Sequence, residues 1–360
     1  MFSLLIFIII LSIMILVHEF GHFIVARKLG ITVEKFSLGF GPKIAGYKGG
    51  DTEYALCLIP LGGYVKLAGE NIAELRGEKR EFLSRAPIDR ALVIVAGSAL
   101  NYALAFFCFW MVNVIGYPHE TTRIGAVKEG YPAHKAGILA GDTITSVDAK
   151  PVKYFKELQE IIYNKKTAQV ELEIVRNNEK IRITVDLRQD EIKNILGITQ
   201  KVRRLGVVPS GEVVVVRHTI LKGCALAGKT LWDLTLLTIA ALTRMFTGAI
   251  SFKENVTGLV GMYFVTSGAV SVGFSEVIKL IAVLSANLAI FNLLPFPILD
   301  GGHLFFLGLE RLRGRRLNQK VEEKIHQAAF GIIVSVAVFV FLNDFVKFGL
   351  WQKVVATFGR

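Results

Sequence analysis

Three ionisable side chains, His18, Glu19 and His22, interrupt the apolar run from Leu11 to Val25. On a helix, His18 and His22 are one turn apart on one face, close enough to share a metal ion. Glu19 lies beside them, within reach of a water on that ion. Two neutral imidazoles at this spacing supply two zinc ligands, and the intervening glutamate can act as general base. A satisfied histidine pair in a helix core is the plain alternative. It accounts poorly for three ionisable groups in a segment apolar enough for lipid, where such groups are costly. Catalytic zinc usually takes three protein ligands and leaves one position for water. The natural third ligand is Asp300, an acidic residue in Asn292-Leu-Leu-Pro-Phe-Pro-Ile-Leu-Asp-Gly-Gly-His303. A helix-capping role for Asp300 is the alternative. His303, one turn further on, competes for the third position. It ranks below Asp300 because two histidines readily pair with a carboxylate at zinc and because His303 is nearer a basic exit.

These residues need elements that hold them at one depth. The chain has 360 residues, 52% hydrophobic and only 20% charged, with mean hydropathy +0.49. That composition describes a multi-span membrane protein with an inserted polar domain. The net charge of +12 does not indicate nucleic acid. Much of the basic excess flanks apolar segments, and no basic patch carries interleaved aromatics. Cys57, Cys108 and Cys224 are odd in number and widely spaced, which argues against a disulfide framework or a cysteine zinc knuckle.

The first span runs from Met1 to Ala26, followed by Arg27 and Lys28, which places the N-terminus outside. No basic start or small-residue cleavage site marks it as a signal peptide. In residues 29–90, Pro60, Gly62 and Gly63 between apolar runs predict short strands folded as a hairpin against the bundle. Ala91 to Gly116 forms a second span, whose Gly97-Ser-Ala-Leu-Asn101 face suits close helix packing, with Asn101 read as an interhelical hydrogen-bonding residue. Residues 117–210 are polar and alternate as Val170-Glu-Leu-Glu-Ile-Val175, which predicts a soluble α+β domain. Cys224 to Ile250 is apolar but carries Lys229, Asp233 and Arg244, and is expected to lie on the outer surface within a 211–276 linker. The third span, from about Val277, is broken by Pro295, Pro297, Gly301 and Gly302 and exits at Arg311. Ala328 to Val346 forms the fourth. Backbone freed by such a break is tolerated only where protein or a polar cavity satisfies it.

Tyr131-Pro-Ala-His-Lys-Ala-Gly-Ile-Leu-Ala-Gly-Asp-Thr-Ile-Thr-Ser-Val147 resembles the core signature of a PDZ domain, with a short helix after Pro132, a turn at Gly141-Asp142 and a following strand. PDZ domains take extended peptides or C-termini by strand addition. In the permuted order of bacterial PDZ domains, Leu205, Gly206 and Val207 fall on the carboxylate-binding strand. With His18-Glu-Phe-Gly-His22, Gly39-Phe-Gly-Pro42, Ile59-Pro-Leu-Gly-Gly-Tyr-Val-Lys66, the Gly97–Asn101 segment and Asn292–Gly302 added, nearly the whole chain resembles the site-two protease family of intramembrane zinc metalloproteases. The similarity is to its bacterial RseP-like branch. The Asn292–Gly302 stretch fits that family's NxxPxPxLDGG pattern at every defined position. The chain departs in having one PDZ domain where some members have two, and in Leu259 where the family's GPxG turn has proline.

The resemblance implies Zn2+ held by His18, His22 and Asp300, with Glu19 as base. It implies substrate contacts along the hairpin at Gly62, Gly63, Tyr64 and Val65, and from Asn292 and Pro297. The expected fold is a polytopic α-helical membrane protein of about four transmembrane helices, with a membrane-associated β-hairpin and one inserted α+β PDZ domain. The expected divisions are 1–116, 117–210, 211–276 and 277–360. The expected setting is the bacterial cytoplasmic membrane, with N-terminus, PDZ domain and C-terminus outside. The implied partners are the lipid bilayer and membrane-spanning substrates, such as anti-sigma factors or remnant signal peptides; the PDZ domain contacts their C-termini or screens their size. A non-catalytic PDZ adaptor with a vestigial metal site is the main rival, although an adaptor has no need of Glu19. A zinc transporter would need ligands along a path, whereas these converge on one depth.

Overall fold

Helix α1 spans Phe2–Lys28 and ends where Arg27 and Lys28 meet its negative dipole end. In the computed structural model, which describes residues 2–194, 196–315 and 318–349, the chain divides into two units. The first comprises residues 1–112, 221–239 and 251–360, and the second residues 113–220 and 240–250.

In the first unit, α1 is followed by β1 (Val33–Gly49), β2 (Thr52–Leu67) and α2 (Pro87–Ile115). The expected short strands are instead two long bent ones. Gly49 pairs with Thr52 and Lys43 with Cys57, whereas Val33 pairs with Leu67 and Leu38 with Gly63. Residues 35–38 pair a second time, with 53–56, so this stretch is flanked on both sides. Gly63–Leu67 is therefore an edge, paired on one side only among the described residues. Pro60 and Gly62 sit in the bend between the pairings and Gly63 opens the second of them, so the strand continues through all three. The sheet is held to the helices by an apolar cluster of Ala26, Ile31, Val33, Leu67 and Val93.

The expectation of about four membrane helices is exceeded, since among the described residues six are long and apolar enough to cross. They include α5 (Ile220–Phe246), the stretch containing α6 (Phe252–Asn255) and α7 (Leu259–Val272), α8 (Phe274–Asn292) and α10 (Gln319–Lys347). The region read as a linker thus holds three helices. Charge counting requires only an odd number of crossings between Ser210 and Arg311, and three satisfy it as well as one. Thr235 of α5 shares a hydrogen bond of 2.9 Å with Tyr102, and Thr238 donates to Asn287 at 3.0 Å, which ties α5 to α2 and α8. At its start, α7 is capped by Asp344 of α10, whose carboxylate accepts from the Gly258 and Gly261 amides at 3.0 and 2.9 Å. The broken span is α8, a connector over residues 293–299, and α9 (Asp300–Arg313).

The second unit carries β3 (Tyr117–Glu120), β4 (Ile124–Val127), α3 (Pro132–Lys135), β5 (Thr143–Val147), β6 (Lys150–Pro151), α4 (Phe155–Tyr163), β7 (Gln169–Arg176) and β8 (Glu179–Asp186). Then come β9 (Arg188–Lys193), β10 (Thr199–Arg204), β11 (Val207–Pro209) and β12 (Val213–Val216). Strands β6-β5-β7-β8 form one sheet, and β4 pairs with β11. The alternation read in Val170–Val175 is realised in β7, whose Val170, Leu172 and Ile174 enter a core with Ile144, Val147, Leu158 and Val185. Asn177 and Asn178, at φ 51° and 66°, make the tight turn to β8. Burial would raise the Asp142 carboxyl, but the Arg176 guanidinium and the Leu139 amide outweigh it and hold it below its ordinary value.

In the first unit, Arg90 at the start of α2 makes a buried bidentate ion pair with Glu310 of α9, at 2.7 and 3.0 Å. Removing one partner of such a pair usually costs about 3–5 kcal/mol, whereas replacing both with apolar groups is often tolerated. Arg90→Met should therefore lower the thermal midpoint of the purified chain sharply, and Arg90→Met with Glu310→Leu should recover most of it.

Candidate metal centre

His18 and His22 stand on one face of α1, against α2, and the first turn of α9 brings Asp300 to them from far along the chain. The His18 and His22 Nε2 atoms are 3.2 Å apart, and Asp300 Oδ2 lies 3.4 Å from the first and 3.6 Å from the second. Ligands at about 2.0–2.1 Å from a tetrahedral zinc stand about 3.3–3.4 Å from one another. The triangle therefore has the edges that a tetrahedral ion requires. Among the described residues, these are the only three such donors that converge within 4.8 Å. Asp300 is the first residue of α9, with Leu299 in the N-cap position, so capping is not its role. His303 does not join the cluster; its ring instead faces His326 of α10.

The surrounding groups fix the two rings. The Val93 carbonyl accepts from His22 Nδ1 at 2.8 Å, which leaves the Nε2 lone pair to face inward. Asn101 is fully buried, its Nδ2 lies 3.5 Å from His18 Nδ1, and its Oδ1 has no hydrogen-bond partner among the described residues. Amide orientation is assigned from such networks. Turned over, Asn101 offers Oδ1 to a His18 Nδ1–H, which satisfies the orphaned oxygen and frees His18 Nε2 for a metal. The reading of Asn101 as an interhelical hydrogen-bonding residue thus acquires a specific partner. Ser98, also fully buried, donates to Asp300 Oδ2 at 3.3 Å.

Two glycines set how closely the helices approach. A Cβ at Gly21 would strike the Ala96 carbonyl oxygen and lie 2.8 Å from Gly97 Cα. A Cβ at Gly97 would collide with His22 Nε2 and lie 2.8 Å from His18 Cε1. Gly301 and Gly302 admit the connector: Cβ atoms there would overlap the Leu293, Leu294 and Phe296 carbonyl oxygens. This is how backbone freed by the proline-containing break is packed at the site.

Glu19 and the three donors open onto a cavity of about 600 Å³, which Tyr64, Val65 and Asn292 also line. The Val65 amide hydrogen-bonds the Glu19 carboxylate. A Cβ at Gly63 would lie 3.2 Å from Glu19 Cγ, so the strand edge runs directly past this carboxylate. Asn292 Nδ2 is 3.4 Å from His18 Nε2. Gly62 lies in the β2 bend against Phe40, and Pro297 lies in the connector against Gly302. In the second unit, Leu205 is buried in the core, and its carbonyl accepts from the Ala133 amide. The Gly206 carbonyl accepts from the Lys128 amide, and Val207 pairs with Val127. Sequence reasoning missed the Ser98, Val93 and Arg90–Glu310 contacts. Only Ser98 had a signal, its place beside Gly97 on the small-residue face.

Residues 6–336 match the profile of peptidase family M50. The chain belongs to that family. A Rickettsia conorii relative, provisionally named a zinc metalloprotease, is 33% identical over 96% of this chain and 98% of its own. One from Clostridium perfringens, named likewise, is 33% identical over 93% and 96%. The zinc metalloprotease RasP of Oceanobacillus iheyensis is 28% identical over 94% and 97%. The PDZ domain of an SdrC-like protein from Listeria innocua is 26% identical, covering 26% of this chain and 97% of its own, with a TM-score of 0.20. As an M50 member the chain is a multi-pass, intramembrane zinc metalloprotease, and zinc is its cofactor.

Gly97→Ala should displace both imidazoles and weaken zinc binding by about 10–100-fold, the range typical when ligand support is disturbed. Gly228→Ala, whose Cβ would sit 3.9 Å from Phe106, should leave it unchanged. Zinc content of the two purified variants, after dialysis against graded chelator, checks this.

Proposed function

We propose that His18, His22 and Asp300 hold the zinc and that Glu19 is the general base, in hydrolysis of a peptide bond within a membrane-spanning segment. The observation that carries this reading is the 3.2–3.6 Å triangle of donors with Glu19 opening onto the same cavity. Zinc bound there supplies Lewis acidity, which activates water and polarises the scissile carbonyl. Glu19 accepts the water's proton and later passes it to the leaving amine nitrogen. The Val65 amide orients the Glu19 carboxylate for both transfers. Asn292 stands beside the triangle as a donor to the developing oxyanion, a role typically worth roughly 3 kcal/mol.

A substrate that arrives as a helix has its amides shielded by hydrogen bonds. The edge over Gly63–Leu67 offers backbone donors and acceptors that hold it extended beside Glu19. Gly63, Tyr64 and Val65 form this receiving edge with Gly62 in the bend before it, and Pro297 shapes the connector between Asn292, the last residue of α8, and Asp300. Anti-sigma factors and remnant signal peptides have the required chemistry, a single apolar helix. The PDZ domain of 117–210 presents such substrates by their C-termini, through Leu205, Gly206 and Val207, or screens them by size.

We place the N-terminus, the PDZ domain and the C-terminus outside. Arg27, Lys28 and the basic run at Arg311 and Arg313 then lie inside, whether four or six helices cross. The chemistry falls in the inner half of the bilayer, just before Arg27. A reading as a PDZ adaptor without catalysis is disfavoured by Glu19, which takes no part in the donor triangle.

Glu19→Gln should retain one zinc per chain and lose cleavage of a membrane-anchored substrate by at least about 100-fold, the lower range for a general base. Retained cleavage at the wild-type rate would exclude Glu19 as the base.

A further inference from the structure

The cavity onto which His18, His22 and Asp300 open continues along α9 to a second group of imidazole and carboxylate side chains. His303 lies one turn beyond Asp300, about 4.5 Å along the helix axis. Its ring centroid stands 5.5 Å from that of His326 on α10, with the planes at 63°. The His18–His22 pair, with both Nε2 atoms turned to Asp300, has centroids 4.8 Å apart at 83°. Two imidazoles bound to one tetrahedral ion have centroids about 5 Å apart. Glu322, one turn before His326 on the same helix, lines the same cavity, as do His303 and His326 themselves.

Packing alone does not explain this pair. His326 also meets Phe306 edge-on, with centroids at 5.7 Å, so the layer is aromatic. Yet His326 Nε2 is screened from solvent and makes no hydrogen bond among the described residues. Apolar rings would fill the layer without burying a polar nitrogen. An imidazole nitrogen left without a partner is instead suited to a borderline cation such as Zn2+ or Co2+.

We propose that His303, His326 and Glu322 form a second, weaker site for a divalent transition-metal ion, which stages zinc on its way to His18, His22 and Asp300. The site is open: its three donors are not gathered within 4.8 Å as the catalytic ones are. Looser convergence gives the lower affinity that lets an ion pass on. Binding at this site is independent of the catalytic reading, whereas the staging role rests on it.

The test uses the full-length protein in detergent, stripped by chelator and titrated with Co2+ at fixed pH. In a His18→Ala/His22→Ala variant, Co2+ should still bind at one equivalent per chain, with d–d absorption in the visible. His326→Phe, which keeps the ring packing against Phe306, should abolish that absorption in the same background. His303→Phe provides a second variant should the first lower the yield of folded protein. With the catalytic ligands intact, His326→Phe should slow recovery of bound zinc from a buffered low-zinc solution by about tenfold and leave the final zinc content at one per chain. No Co2+ binding in the double-alanine variant, or binding that survives both phenylalanine substitutions, overturns the second site. Equal recovery rates overturn its staging role. Cobalt binding in the double-alanine variant is read without proteolysis, so failure of Glu19 as the base would leave this result unaffected.

Discussion

The centre depends on two helix backbones being able to touch. With Gly21 against Ala96 and Gly97 beneath both imidazoles, α1 and α2 approach more closely than any side chain allows. In an apolar bundle this contact gains little from the hydrophobic effect and relies on close packing and buried polar bonds. Those bonds are present at the contact. The Val93 carbonyl, Ser98 and Asn101 all belong to α2, and each meets one member of the donor triangle. Helix α2 contributes none of the three donors but touches each of them.

The third donor poses a different problem, because Asp300 must be brought to depth on a separate helix. Its position is set at both ends of α9. At the start, Gly301 and Gly302 let the 293–299 connector lie directly on the helix. Near the end, Glu310 is clamped by Arg90. A bidentate pair with planar geometry restricts rotation as well as distance. One helix is thus tied to α2 through an ion pair and through Ser98, ten residues apart, which leaves Asp300 little freedom to leave the triangle. The strand edge completes the arrangement from the other side, where the Val65 amide and Gly63 fix the direction in which Glu19 faces.

Much of this was legible in the residues. The spacing of His18 and His22, the break after Asn292 and the isolated Asp300 pointed to one metal centre, and these three side chains do converge within 4.8 Å. The alternation in β7 and the turn at Asp142 were also legible, because strand period and turn chemistry are local properties. What escaped depends on contacts that no local pattern encodes. Arg90 and Glu310 are 220 residues apart, and each alone looks like a solvated helix-end charge. The second pairing of residues 35–38 depends on how a long strand bends, and prolines and glycines suggested interruption where the chain curves. Helix α7 escaped because its 14 residues fall short of a span and its cap, Asp344, lies 83 residues beyond Gly261.

The central claim is that two histidines and one aspartate, and not His303, form the metal's protein ligands. Zinc K-edge absorption on the full-length protein with one equivalent of metal tests it directly. The account predicts a first shell of two imidazole nitrogens and two oxygens at about 2.0–2.2 Å, lost or rearranged in Asp300→Ala and unchanged in His303→Phe. A shell of three imidazoles, or one unaltered by Asp300→Ala, would contradict it.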